Sequence, residues 1–96
     1  GVMRITQLVN DKDKPVPNHF VISFNVGVDY LQSYDSIVAK VEEGLPTTLG
    51  RDWDYSPTTL RHVKTFLQTS KSADELRVMI DSGDIVYDKY LDLEKD

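Results

Sequence analysis

Hydrophobic and polar residues alternate with period two over most of the first half of the chain and switch to helical spacing after residue 56. Arg4 to Val9 alternates well enough for a first strand, and Asn10 to Pro15 follows as a polar turn. Pro17 argues against an uninterrupted central strand, because it has no N–H to give to a ladder. His19 to Val26 is the clearest strand, with Phe20, Ile22, Phe24 and Val26 on one face and Val21, Ser23 and Asn25 on the other. Gly27 offers a turn or a bulge. Val28 to Tyr34 then sets Val28, Tyr30, Gln32 and Tyr34 opposite Asp29, Leu31 and Ser33, which completes a hairpin. After a turn at 33–36, Ile37, Ala39 and Val41 again lie at period two, with Val38 and Lys40 on the reverse side, and carry a fourth strand to about Glu42. Helix is the rival assignment there, disfavoured by the isoleucine and valines and by the Glu43-Gly44-Leu45-Pro46 ending. Thr47 to Tyr55 reads as a fifth strand, with Leu49, Trp53 and Tyr55 on one face and a break at Gly50.

The change of period falls at Ser56-Pro57. A serine oxygen can take an orphan backbone N–H, and proline suits the first helical position, where no bond is lost. Tyr55 and Leu60 occupy the two positions of a hydrophobic staple, and Trp53 is the expected anchor of this strand-to-helix corner. Leu60, Val63, Phe66 and Leu67 form the apolar stripe of a helix ending near Thr69. Ser72-Ala73-Asp74-Glu75 is a capping box that opens a second helix, with Leu76, Met79 and Ile80 inward and Gly83 at its left-handed end. Ile85 to Leu93 resumes strand character, with Ile85, Tyr87, Lys89 and Leu91 on one face and Val86, Asp88 and Tyr90 on the other, as expected of an edge strand. The pattern predicts one α+β domain over residues 3–93. It has a mostly antiparallel sheet of about five strands, two helices packed on one face, and a final strand.

The 96 residues suffice for one small domain, and 40% hydrophobic with 28% charged residues is an ordinary globular composition. Gly1 and Val2 precede Met3 and read as an expression scar, and Glu94-Lys95-Asp96 as an acidic tail. With no cysteine, disulfides and thiolate chemistry are excluded. The chain has neither an apolar run of membrane-spanning length nor a leader, so it reads as cytoplasmic, with no membrane partner. Charge is uneven. From Asp74 to Asp96 eight acidic residues oppose Arg77, Lys89 and Lys95, which accounts for the whole formal net charge of −5. This speaks against broad binding to phosphates and for a partner with a basic surface, while a solvated acidic face is the plainer explanation.

The segments Leu31-Gln32-Ser33-Tyr34-Asp35-Ser36-Ile37-Val38-Ala39-Lys40 and Trp53-Asp54-Tyr55-Ser56-Pro57-Thr58-Thr59 resemble a family of small uncharacterised proteins carried by bacteriophages and plasmids of Gram-positive bacteria. Asn18-His19-Phe20 and the Phe66-Leu67 helix end extend the likeness to about two thirds of the chain. The resemblance carries no activity and no functional residue. It implies a setting, a small protein of a mobile genetic element inside a bacterial host.

Candidate chemistry is sparse. His19 and His62 stand far apart in sequence without cysteine support, so no metal and no cofactor is expected. Asp52 and Asp54 bracket Trp53 on one side of the expected strand, where they could pair as carboxylates but more plainly favour the coming helix N-terminus. Ser33, Ser36 and Ser56 lack a base at any diagnostic spacing, and no glycine pattern resembles a phosphate loop, so no catalytic residue is expected. Tyr30, Gln32 and Tyr34 could stack on bases but more simply pack on the sheet. The leading expectation is a non-enzymatic interaction protein that binds and modulates a host or defence protein through Asp84, Asp88, Tyr90 and Asp92. The alternative is a nucleic-acid-binding accessory protein using Arg51, Arg61, Lys64 and Lys71, and the weakest is an enzyme centred on Asp52 and Asp54. Trp53, Tyr55, Ser56, Pro57 and Leu60 are assigned to structure.

Overall fold

The computed structural model describes residues 3–24 and 27–93. Asn25 and Val26, Gly1 and Val2, and the tail 94–96 lie outside the described residues. Six strands form one sheet in sequence order: β1 (Met3–Val9), β2 (Pro15–Phe24), β3 (Val28–Ser33), β4 (Ser36–Glu42), β5 (Thr48–Leu49) and β6 (Val86–Tyr87). All neighbours are antiparallel except β5 and β6, which are parallel because α1 (Pro57–Leu67) and α2 (Ala73–Ser82) cross between them. The expected α+β architecture holds, with both helices on one face.

Alternation divides each long strand between two apolar clusters, with one exception. A bulge at Val38, opposite Leu31 and Gln32, puts Val38 and Ala39 on one side and so separates Ile37 from Ala39, which were expected to share a face. Leu8, Val16, Leu31, Val38, Ala39 and Leu49 face the helices and meet Trp53, Val63, Leu76 and Ile85. Ile22, Tyr30 and Ile37 face the other way and are joined by Phe24, Val28, Leu91 and Leu93. The helix side is the larger core.

Three strand boundaries differ from those expected. Pro17 lies inside β2, whose pairing with β1 jumps from Gln7↔Phe20 to Val9↔Pro15, so Leu8 alone spans residues 16–19 of the partner strand. A bulge of this size asks no ladder bond of Pro17, and it holds Asn18 at φ 62°. The fifth strand stops at Leu49. Gly50 donates its N–H to the Val38 carbonyl at 2.8 Å, and a Cβ there would lie 2.4 Å from the Ile37 carbonyl oxygen. The chain then turns through 51–54, burying Trp53 from a turn rather than from a strand face. The final strand is only Val86–Tyr87. Beyond it Asp88 Oδ1 accepts the Tyr90 N–H at 2.9 Å and Asp92 Oδ1 the Leu93 N–H at 2.8 Å, so aspartate side chains turn the backbone where ladder bonds were expected.

Both helix starts are as the sequence predicts. Ser56 Oγ accepts the Thr59 N–H at 3.1 Å with Pro57 in the first turn, and Ser72 and Glu75 form the reciprocal capping box. Those bonds also lower the Glu75 pKa. Helix α1 ends at Gln68, held left-handed at φ 56°, and α2 at Gly83. The staple is a correction. Leu60 packs on the core but Tyr55 is 79% exposed. Arg77 of α2 ties the corner down, with Nη2 3.0 Å from Asp54, Nη1 2.7 Å from Asp74 and the guanidinium 5.7 Å from the Trp53 ring centroid.

Candidate functional site

The bulge at 16–19 and the tight turn after β3 together build a cleft. In the β2–β3 ladder His19 sits directly across from Ser33. The two-residue turn Tyr34-Asp35 follows, with Tyr34 at φ 54°, a left-handed value unfavourable for a bulky side chain. The Tyr34 N–H donates to the Asn18 carbonyl at 2.8 Å and locks turn and bulge together. The N-terminus of α1 closes the other side. The resulting cleft, of about 520 Å³, is lined by His19, Ser33, Tyr34, Ser36, Asp52, Tyr55, Ser56, Thr58 and Thr59.

Its floor is a hydrogen-bonded pair that corrects two expectations. His19 is only 2% exposed, and its Nδ1 lies 2.8 Å from the Pro17 carbonyl oxygen. That carbonyl accepts only, so Nδ1 carries the proton and the Nε2 lone pair receives the Ser33 Oγ–H at 3.0 Å. A histidine base does therefore face Ser33, brought there by strand pairing rather than by sequence spacing. Counting outward from Phe24↔Val28 pairs His19 with Ser33, so the hairpin register already held the signal. The second correction concerns His62. The two histidines stand far apart in sequence, yet their ring centroids are 4.4 Å apart in a T-shaped contact. Burial, then His19 and Arg61, lower the His62 pKa and favour its neutral form. Chemically the Ser33–His19 pair has the order of a nucleophile and its base, but at 6% exposure Ser33 lies beneath the rim and its bond satisfies an otherwise orphaned imidazole nitrogen. Among the described residues no group of three or more histidine or acidic side chains is placed to hold a metal ion.

The rim is aromatic. Tyr34 is 62% exposed with its ring 5.6 Å from His19, and Tyr55 rises on the opposite segment. Asp52 is the one charged side chain among the lining residues, and it accepts the Ser36 hydroxyl at 3.3 Å. The pairing of Asp52 with Asp54 does not form, since Asp54 is committed to Arg77. Neither carboxylate caps α1, a role that belongs to Ser56.

Of the four segments that carry the likeness in sequence, 18–20, 31–40 and 53–59 contribute to this cleft and the Phe66-Leu67 helix end does not. A family model matches residues 3–82, from β1 to the last residue of α2. The chain belongs to the DUF8033 family, a family of unknown function. The DUF8033 match covers every residue of the cleft and ends before Asp84, Asp88, Tyr90 and Asp92. No curated protein and no solved structure matches the chain.

The other residues singled out in sequence are dispersed. Asp84 accepts the Ser82 hydroxyl at 3.0 Å, Asp88 and Asp92 serve their own turns, and Tyr90 has Lys89 Nζ 5.1 Å from its ring centroid. They form no acidic row along a strand. Arg61 and Lys64 do share a shallow groove with Asn10 and Asp11. Arg51 lies with Asp35 and Asp92, and Lys71 beside Asp84. The described residues include no helix long and apolar enough to cross a membrane.

Proposed function

We propose that this is a non-enzymatic interaction module of a bacteriophage or other mobile element, which binds a host or defence protein and modulates it. Its recognition site in this reading is the cleft, and the acidic C-terminal segment plays no part. The single observation that supports it is the convergence of segments distant in sequence on one cleft with exposed Tyr34 and Tyr55 at its rim and Asp52 as its one charge. Exposed tyrosines supply large contact area at low entropy cost, and a lone carboxylate between aromatic rings suits an arginine or lysine side chain. The partner is accordingly a protein presenting a basic side chain. Capture from host lysate with the native protein, Asp52→Asn and a Tyr34→Ala, Tyr55→Ala double variant tests this. One protein should be retained by the native form, with at least tenfold less on either variant. Equal retention by all three rejects the cleft.

A nucleic-acid accessory role draws support only from the Arg61–Lys64 groove, and Asp11 in the same groove works against phosphate binding. A gel shift that weakens steeply with salt and is lost in Arg61→Glu, Lys64→Glu would favour that reading.

A further inference from the structure

Strand β1 is the outer edge of the sheet, with β2 as its one ladder neighbour among the described residues. Natural edges are blunted by shortness, proline or several charges. This one runs seven residues, Met-Arg-Ile-Thr-Gln-Leu-Val, with no proline and Arg4 as its one charge. On the face away from the helices Met3 and Ile5 are 51% and 55% exposed. They stand in register with Phe24 and Ile22, so an apolar row leaves the smaller core and ends in water at the edge. The opposite edge is different. Strand β6 offers two residues, and Asp84 and Asp88 flank it.

We propose that β1 pairs antiparallel with β1 of a second copy of this chain, so that one sheet continues across a two-fold axis. The contrast between the edges selects this occupant. Head-to-tail stacking would join a seven-residue edge to a two-residue one and would not close, whereas like edges meet isologously and close at two copies. An axis through Thr6, the midpoint of Met3–Val9, uses the whole strand. It sets Met3 opposite Val9 of the second copy, and Ile5 opposite Gln7, extending the apolar row from both sides. Arg4 faces Leu8 of the second copy, which leaves the two arginines roughly 13 Å apart along the strands at about 3.3 Å per residue, beyond the ~8 Å physiological screening length. The apolar edge thus becomes covered without opposing like charges. This inference goes beyond the cleft reading and does not depend on it.

Because the chain has no cysteine, Thr6→Cys introduces a single thiol. On the proposed axis it faces itself at about 4.5–5.5 Å between Cα atoms, within disulfide reach. Under mild oxidation Thr6→Cys should form a covalent dimer at least tenfold faster than a Val78→Cys control on the exposed side of α2. Light scattering should give the native chain twice its 11.0 kDa mass. Ile5→Lys should return it to one copy that still unfolds in a cooperative thermal transition, because in the single chain the side chain is exposed. A native mass of one copy at all concentrations up to about 0.5 mM, with equal crosslinking at both positions, would overturn the proposal. So would a mass that keeps growing with concentration, or a dimer that survives Ile5→Lys and does not crosslink through residue 6.

Discussion

The two faces of the sheet are built from alternate residues of the same strands, yet they are covered in different ways. Toward the helices, Leu31, Val38, Ala39 and Leu49 are closed over by Trp53, Val63 and Leu76. Away from them, Ile22, Tyr30 and Ile37 have, among the described residues, Leu91 and Leu93 of an irregular segment above them. The strands are comparably apolar on both sides, so the cover decides how complete the burial is. A helix satisfies its own backbone and can lay an apolar stripe on a sheet at little polar cost. An irregular segment must find other partners, and here Asp88 and Asp92 supply them. The helix face therefore carries stability, and the other face leaves apolar surface toward β1.

The largest effect expected from this contrast is at Trp53, buried under the Arg77 guanidinium. Trp53→Ala should cost about 3–5 kcal/mol in chemical denaturation. A loss under about 1 kcal/mol would break the claim that the helix face dominates. Leu91→Ala removes the half-buried cover of the opposite face and should cost about 1–2 kcal/mol, less than the ~2–5 kcal/mol of a fully buried leucine because part of the side chain is already in water. If it matched Trp53→Ala, the two faces would be equivalent. Ser56→Ala removes the cap that sets where the helical cover begins, at about 1 kcal/mol, with Thr59 left to find another partner.

The smallest effect is one of pH. Burial first, then His19 and Arg61, lower the His62 pKa from 6.5. The unfolded chain then takes up the proton more readily than the folded one. The stability gained by keeping His62 neutral is complete above pH 6.5 and is lost as pH falls through the lowered folded value. Thermal melts from about pH 7 to about pH 5 should decline more steeply for the native protein than for His62→Gln, whose side chain does not titrate there. Parallel declines would mean that the neighbours of His62 do not disfavour its charge.

Elements whose signals are local were legible before the fold. Ser56-Pro57 and Ser72 with Glu75 announced both helix starts, because a cap is made by residues three apart in the chain. The alternation from His19 to Phe24 and from Val28 to Ser33 announced two strands and their faces. That from Ile37 to Val41 announced a strand but not its faces, because the bulge at Val38 puts Ile37 and Ala39 in opposite cores. Tyr55 and the run 85–93 read wrongly, since period two and a staple position state what a side chain would meet if the backbone went straight on, and turns at 51–54 and 89–90 redirect it. The His19–Ser33 pairing could be counted from the hairpin register, but the rest of the cleft was out of reach for a related reason. Its floor depends on a bulge that swallows Pro17 and on the T-shaped contact of His19 with His62 across 43 positions of sequence. Local hydrogen bonding and side-chain period belong to the chain itself and determined where its helices start and the faces of its first hairpin strands. The bulges that interrupt the pairing and what covers each face depend on segments distant in sequence arriving together, and only the tertiary structure decided them.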